Sequence, residues 1–352
     1  MINTAFARPV RRAFSALSAI AVGLTAVSAA QAAEVNVYSY RQPQLVAPLF
    51  EKFTAETGIK VNTIFASDGL IERIAAEGRN SPADIVLTVD IGRLAQAEEL
   101  GLTQKVASDI LAGNIPPAYR DEDGDWFALT LRARVVYASR ERVPQDSITY
   151  EELADPKWRG KICTRSGQHS YSLGLIASVI AHKGEQAAEE WLKGVKANLV
   201  HKPSGNDRSQ VKSVFAGECD LALGNTYYMG LMQTNDKEPE QQQWADAVKV
   251  LFPNAQDRGT HVNVSGVFMA KNAPNREEAL KLMEFLAGDE AQRVYAEVNH
   301  EYPVKPGVEP SERVQSWGAL KADQVPLSEV AKARAKASEL VDKVGFDDGP
   351  SS

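Results

Sequence analysis

The stretch Cys219-Asp220-Leu221-Ala222-Leu223-Gly224-Asn225-Thr226-Tyr227-Tyr228-Met229-Gly230 decides the reading of the chain. Leu221, Ala222 and Leu223 form a short apolar run of buried-strand type, and Gly224 and Asn225 are turn residues expected to stop it. Thr226 then precedes two adjacent tyrosines, with Met229 and Leu231 opening a helix. In α/β proteins the crevice past the carboxyl end of a strand is where ligands sit. Two phenols there have two readings. Both rings can be half-buried packing, their hydroxyls satisfied by backbone. Alternatively they are hard anionic donors. A phenol ionises at about pH 10, so only a strongly Lewis-acidic ion, such as trivalent iron, would hold it ionised near neutrality.

Working outward, the 352 residues are enough for two domains. The net charge of −7 argues against a nucleic-acid partner, while leaving room for a local positive pocket. Residues 1–32 read as an export signal. Arg8, Arg11 and Arg12 precede an apolar run from Phe14 to Ala30, and Ala30-Gln31-Ala32 is a small-x-small cleavage site. Loss of the three arginines with the leader takes the charge from −7 to −10. Arg11-Arg12 also fits a twin-arginine signal, with a generic basic segment as the alternative. Either route places the protein in the periplasm. No cysteine adjoins the cleavage site, so no lipid anchor is expected. The two cysteines, Cys163 and Cys219, point in an oxidising compartment to a disulfide, with two buried free thiols as the alternative.

Strands are expected at Val35–Tyr38, Val61–Phe65 and Ala83–Val89. Helices between and after them run through Leu45–Phe53 up to Gly58, from Asp68 as N-cap through Ile74, and over Leu94–Leu100. This alternation predicts a mostly parallel sheet covered on both faces. Trp126–Thr130 and Val135–Tyr137 are strand-like, with Arg132 and Arg134 between them, where the chain is expected to cross to a second lobe. Thr149-Tyr150-Glu151-Glu152 fits a capping box opening a helix. Gly160–Cys163 is the next strand, followed by a polar loop through Tyr171. Helices follow at Ile176–Ala181, Ala187–Val195 and Arg208–Ala216. Val248–Phe252 and Val262–Ala270 are strands that can return to the first lobe, then helices at Glu277–Leu286 and Ala291–Val298. Leu327–Val344 reads as one closing helix and the chain from Asp347 as frayed. The outline is an α/β, two-lobe periplasmic binding protein of the type II solute-binding fold, with hinge strands between lobes. The expected N-terminal lobe is 33–131 plus about 255–310, and the C-terminal lobe 132–254 plus about 311–345.

Several stretches resemble the periplasmic ferric-ion-binding proteins of ABC importers, the group related to the cyanobacterial Fut proteins. The most specific are Gly217-Glu218-Cys219-Asp220 with Gly224-Asn225-Thr226-Tyr227-Tyr228, and Arg132-Ala133-Arg134-Val135. Asp155-Pro156-Lys157-Trp158-Arg159-Gly160-Lys161, Gly259-Thr260-His261-Val262-Asn263 and Glu301-Tyr302-Pro303-Val304 support them. The resemblance implies Fe(III) as cargo, held by Tyr227 and Tyr228 with Tyr171 as third phenolate, and an ABC permease of the inner membrane as partner. Three phenolates match a hard trivalent cation in a closed cleft. Where the family often has a His-Tyr pair after Ser-x-Arg, this chain has Gln42 and Pro43. Its first lobe is therefore expected to supply a weaker set, with Gln42 and Tyr40 as possible contacts. A carbonate-like synergistic anion would complete the shell, with Arg132 as its leading partner and Arg41 from the opposite lobe. The ordinary alternative for each arginine is an ion pair. Asp68 and His169 remain spare candidates, and His261 reads as structural near the hinge.

No nucleophile elbow, zinc-protease helix or phosphate loop is present in the sequence, so a non-enzymatic binder is expected, acting as a monomer. The competing reading keeps the scaffold and changes the ligand to an organic anion, thiamine or a polyamine, on which the tyrosines would stack.

Overall fold

The computed structural model describes residues 1–2 and 33–350. The expected leader thus lies, beyond Ile2, outside the described residues. Among these, no helix is long and apolar enough to cross a membrane.

Among the described residues, nine strands form one continuous mixed sheet: β1 Glu34–Ser39, β2 Lys60–Phe65, β3 Ile85–Thr88, β4 Phe127–Ser139, β5 Ile162–Cys163, β6 Leu221–Asn225, β7 Val248–Leu251, β8 Val262–Met269 and β9 Tyr302–Pro303. The order is β2-β1-β3-β8-β4-β6-β5, with β7 and β9 also against β4. The β1–β2, β1–β3 and β5–β6 pairs are parallel, and the pairs made by β4 and β8 are antiparallel. A mostly parallel sheet was the expectation. The difference arises because the two long crossing strands run against their neighbours.

β4 organises the molecule. All 13 of its residues are buried. Its first half, Phe127 to Ala133, pairs with β8, and its second half, Arg134 to Ala138, pairs with β6. One strand therefore belongs to both lobes. The two strand-like pieces read in the sequence are a single strand, because Arg132 and Arg134 find buried partners and need not leave it. β8 carries the chain back to the first lobe. β7 does not return; it pairs with Val136–Ser139 of β4 and stays with the second lobe. One apolar core gathers Val37, Ile85, Phe268 and Leu282 under the first sheet region. A second gathers Val136, Ile162, Leu192 and Leu340. Each such side chain contributes about 1.5–3 kcal/mol by leaving water.

Several local expectations are corrected. Asp68 is not a cap: Gly69, at φ 80°, precedes the helix Leu70–Glu77, and exposed Asp68 pairs with Arg93 at 3.4 Å. Thr149 and Glu152 do make the reciprocal capping bonds, at 2.8 and 3.1 Å, yet only a 3-10 turn, Glu151–Ala154, follows. Asp155 precedes Pro156 and is held extended at ψ 131°, which ends the turn. The closing helix is two, Leu327–Lys332 and Arg334–Val344. Asp347 is not frayed: its carboxylate accepts from the Ser166 hydroxyl and the Gly167 N–H, both at 2.6 Å, and Phe346 is buried.

Candidate metal centre

β6 runs without a turn into the helix Thr226–Gln233, with Asn225 at the N-cap position. Gly224 lies inside the strand. A Cβ there would sit 2.2 Å from Cε2 of Tyr137 on β4, so the glycine permits the close approach of the two strands. The next turn projects Tyr227 and Tyr228, whose ring centroids are 4.2 Å apart at 30°. Tyr171 comes not from a loop but from the first turn of the helix Ser170–Lys183. His169 caps that helix, its Nδ1 accepting the Tyr171 N–H at 3.2 Å. The Tyr171 and Tyr227 hydroxyls are 3.2 Å apart. All three tyrosines line one cavity of about 200 Å³.

Burial pushes the Tyr227 phenol well above its ordinary pKa, and negative charge on Tyr171 or Tyr228 would push it further; Arg132 opposes this. Tyr228 is raised for the same leading reason, with Tyr171 and Asp207 adding to it. Tyr227 and Tyr228 are therefore held toward the neutral phenol, and Tyr227 shares a hydrogen bond with Tyr171. Ionising them together requires a strong positive charge among the oxygens.

Two buried carboxylates arrange the surrounding arginines. Asp207, fully buried, accepts from Arg134 at 2.6 Å, Arg165 at 2.5 Å and the Asn225 N–H at 2.9 Å. It thereby ties β4, the loop before Tyr171 and the strand before Tyr227 to one point. Glu301 accepts from Arg41 at 2.9 Å and from the Thr130 hydroxyl at 2.5 Å, and lies 3.9 Å from Arg132. Arg132 also donates to the Ser265 hydroxyl at 2.7 Å and to the Val264 carbonyl at 3.2 Å. Its Nε has no protein partner among the described residues. The Arg132 and Arg165 guanidinium carbons lie 5.5 and 5.3 Å from the Tyr171 ring centroid, and that of Arg208 lies 5.1 Å from the Tyr228 centroid.

Tyr40, Arg41 and Gln42 line the cavity from the first lobe. The Tyr40 hydroxyl already accepts the Ile71 N–H at 2.8 Å, and Arg93 covers its ring at 3.8 Å. Exposed Gln42 precedes the helix Pro43–Thr57, its Oε1 accepting from Gln44 at 2.5 Å. Asp68 and His261 do not line the cavity; His261 is buried against β4, where burial lowers its pKa to about 3. The Cys163–Cys219 disulfide is present, joining β5 to the segment before β6. Sequence reasoning missed Asp207, Glu301, Arg208 and Asn299 as site residues. Only Glu301 carried a signal, as the first residue of the Glu301-Tyr302-Pro303-Val304 motif.

Residues 48–322 match the family profile described as bacterial extracellular solute-binding protein. The chain is 48% identical over 316 residues to iron uptake protein A1 of Synechocystis sp., covering 89% of this chain and 87% of that protein. It superposes with TM-score 0.86 on ferric iron-binding protein A of Mannheimia haemolytica in an open conformation, at 49% identity, covering 90% of this chain and all of that one (100%). It does so equally, TM-score 0.86 at 43% identity, on the Trichodesmium protein (IdiA, FutA) in complex with iron and citrate, covering 89% and 99%. The two-lobe α/β architecture expected from the sequence is thus the fold of these proteins. The chain belongs to the bacterial extracellular solute-binding protein family.

Proposed function

We propose that this protein is the periplasmic substrate-binding component of an ABC importer, capturing Fe(III) through Tyr171, Tyr227 and Tyr228 for an inner-membrane permease. The observation that carries this reading is the convergence of three phenols from two helix starts into one cavity, with two hydroxyls 3.2 Å apart. Such a set of hard oxygen donors is well suited to a hard trivalent ion. The iron uptake and ferric-binding proteins to which the chain is similar support the same cargo.

All three tyrosines lie on the second lobe, so iron binds there first. The first lobe, 33–131 plus about 255–310, then closes over the second, 132–254 plus about 311–345, and brings Tyr40, Arg41 and Gln42 toward the ion. The partner exchange along β4 supports a hinge at that strand. Closure excludes water and strengthens each ionic contact. Arg132 keeps Nε for a co-bound oxyanion, whereas Arg41 is directed at Glu301 and Ser265 and serves to orient them. The protein acts as an exported monomer without catalysis, its leader removed after residue 32.

Ferric loading of the purified protein tests this reading. A red to purple phenolate-to-iron band is expected, lost in the double variant Tyr227→Phe/Tyr228→Phe while the fold persists. A colourless protein whose melting responds to thiamine or a polyamine but not to iron would refute it.

A further inference from the structure

One guanidinium outside the cavity lining joins the two proposed lobes. Arg334 is the first residue of the helix Arg334–Val344, on the second lobe. One of its amino groups lies 3.2 Å from Oδ1 of Asp90, a buried first-lobe residue that caps the helix Ile91–Glu99. The other donates to the Ser170 carbonyl at 3.2 Å. Ser170 opens the helix whose next residue is Tyr171. Asp90 is itself fixed: Oδ1 accepts the Gly92 N–H at 2.8 Å, and Oδ2 accepts from Asn263 Nδ2 at 2.7 Å. Asn263 lies on β8 and pairs with Arg132 on β4. The bridge therefore sits at the crossing strands, where the lobes would turn on one another.

A second observation is steric. Gly92 and Gly174 flank the guanidinium from the first and the second lobe. A Cβ at Gly92 would overlap Arg334 Nε and come within 2.8 Å of its Cζ and of Asp90 Oδ1. A Cβ at Gly174 would lie 3.6 Å from the Arg334 amino group and 3.2 Å from Nε2 of His261, which backs the same space. Both glycines stand within helices, where glycine is less favourable than alanine, and neither has the positive φ that would call for it. Room for the side chains between the two helices accounts for them.

We propose that Arg334 is a positioning residue for iron capture: seated between Gly92 and Gly174, it transmits the relation of the lobes to the first turn of the helix that bears Tyr171. This rests on the capture reading above and adds how lobe motion reaches one of the three phenols. Turning the lobes about β4 and β8 moves Asp90 and Gly92 relative to Ser170 and Gly174. A single guanidinium cannot hold both Asp90 and the Ser170 carbonyl through that motion. In the bridged arrangement the Tyr171 hydroxyl stands 3.2 Å from that of Tyr227. Groups that lock a metal ligand from behind set its geometry and so its affinity. Opening the lobes breaks the bridge and loosens the third phenolate first.

The test follows iron release. The full mature protein, loaded with Fe(III), is mixed with excess EDTA, and decay of the visible band gives the dissociation rate. Arg334→Gln and Gly92→Ala are each expected to raise that rate about tenfold, the lower end of what a partner behind a ligand contributes to a metal site. Gly92→Ala keeps every charge and suits a helix, and circular dichroism with urea unfolding reports the fold of each variant. In a Tyr171→Phe background both substitutions should change the rate by less than about twofold, because residues acting through one another are not additive. In a Tyr228→Phe background the acceleration should persist. A wild-type rate in either Arg334→Gln or Gly92→Ala overturns the inference and leaves the capture reading standing. So does an acceleration of the same size with and without the Tyr171 hydroxyl. A wild type that shows no visible band on ferric loading overturns both.

Discussion

Replacing Asp207 by alanine removes the buried point to which the metal-site segments are tied. The carboxylate is inaccessible to solvent and bonds two guanidinium groups, at 2.6 and 2.5 Å, with side-chain exposures of 2% for Arg134 and 11% for Arg165. It also accepts the Asn225 N–H immediately before Tyr227. Removing one partner of a buried ion pair costs about 3–5 kcal/mol, because the remaining charge is left uncompensated. Here two arginines are stranded, so the upper half of that range is expected, about 4–5 kcal/mol. In a protein of this size, with an unfolding entropy of about 2 cal/mol/K per residue, that lowers Tm by roughly 6–8 °C. Asp207→Asn keeps the shape and some acceptor capacity and should lose less, in the same direction. The assay is urea unfolding of the iron-free protein followed by tryptophan fluorescence, with far-UV circular dichroism as a second probe. A variant Asp207→Ala within about 1 kcal/mol of wild type would refute the reasoning, since it would mean that the arginines hydrate freely.

Three further outcomes follow from the geometry. The Cys163–Cys219 bridge closes a sequence separation of 56 residues, so Cys163→Ser/Cys219→Ser should lose about 4 kcal/mol in urea titration by the chain-entropy relation. Gly224→Ala drives a methyl to 2.2 Å from the fully buried Tyr137 ring, an overpacking cost of about 1–3 kcal/mol, and should broaden or shift the tyrosinate band because Tyr227 follows three residues later. Stability should also fall with acid. His261 is held neutral by burial, its pKa lowered to about 3, and His169 and His300 to about 4. The unfolded chain takes up these protons near pH 6.5 and the folded one does not. Their stabilisation is therefore full above about pH 6.5 and declines as pH falls toward 4. A urea midpoint for the iron-free protein that is flat between pH 7 and 5 would contradict this.

What the sequence made legible was what is local. The run Leu221–Leu223 followed by Thr226-Tyr227-Tyr228 is contiguous, and it marked both the strand end and two donors. The polar loop ended at Tyr171 on paper, but His169 caps a helix there, and a histidine cap carries a weaker sequence signal than serine or aspartate. Gly224 and Asn225 read as a turn because a glycine required by packing against Tyr137 looks the same as one required by backbone conformation. Arg132 and Arg134 read as a crossing point rather than strand interior, since buried arginines need partners that local sequence cannot supply. Those partners lie far along the chain: Asp207 is 73 residues from Arg134 and Glu301 is 260 from Arg41. Likewise the division of the last helix at Ala333 coincides with Arg334 reaching Asp90 and the Ser170 carbonyl, both at 3.2 Å, contacts no periodicity encodes.

The most direct test of the central claim is resonance Raman spectroscopy of the ferric-loaded protein, excited within its visible band. The account expects enhanced ring modes of iron-bound tyrosinate, diminished in each of Tyr171→Phe, Tyr227→Phe and Tyr228→Phe. Iron retained with no tyrosinate modes, or modes indifferent to all three substitutions, would contradict it.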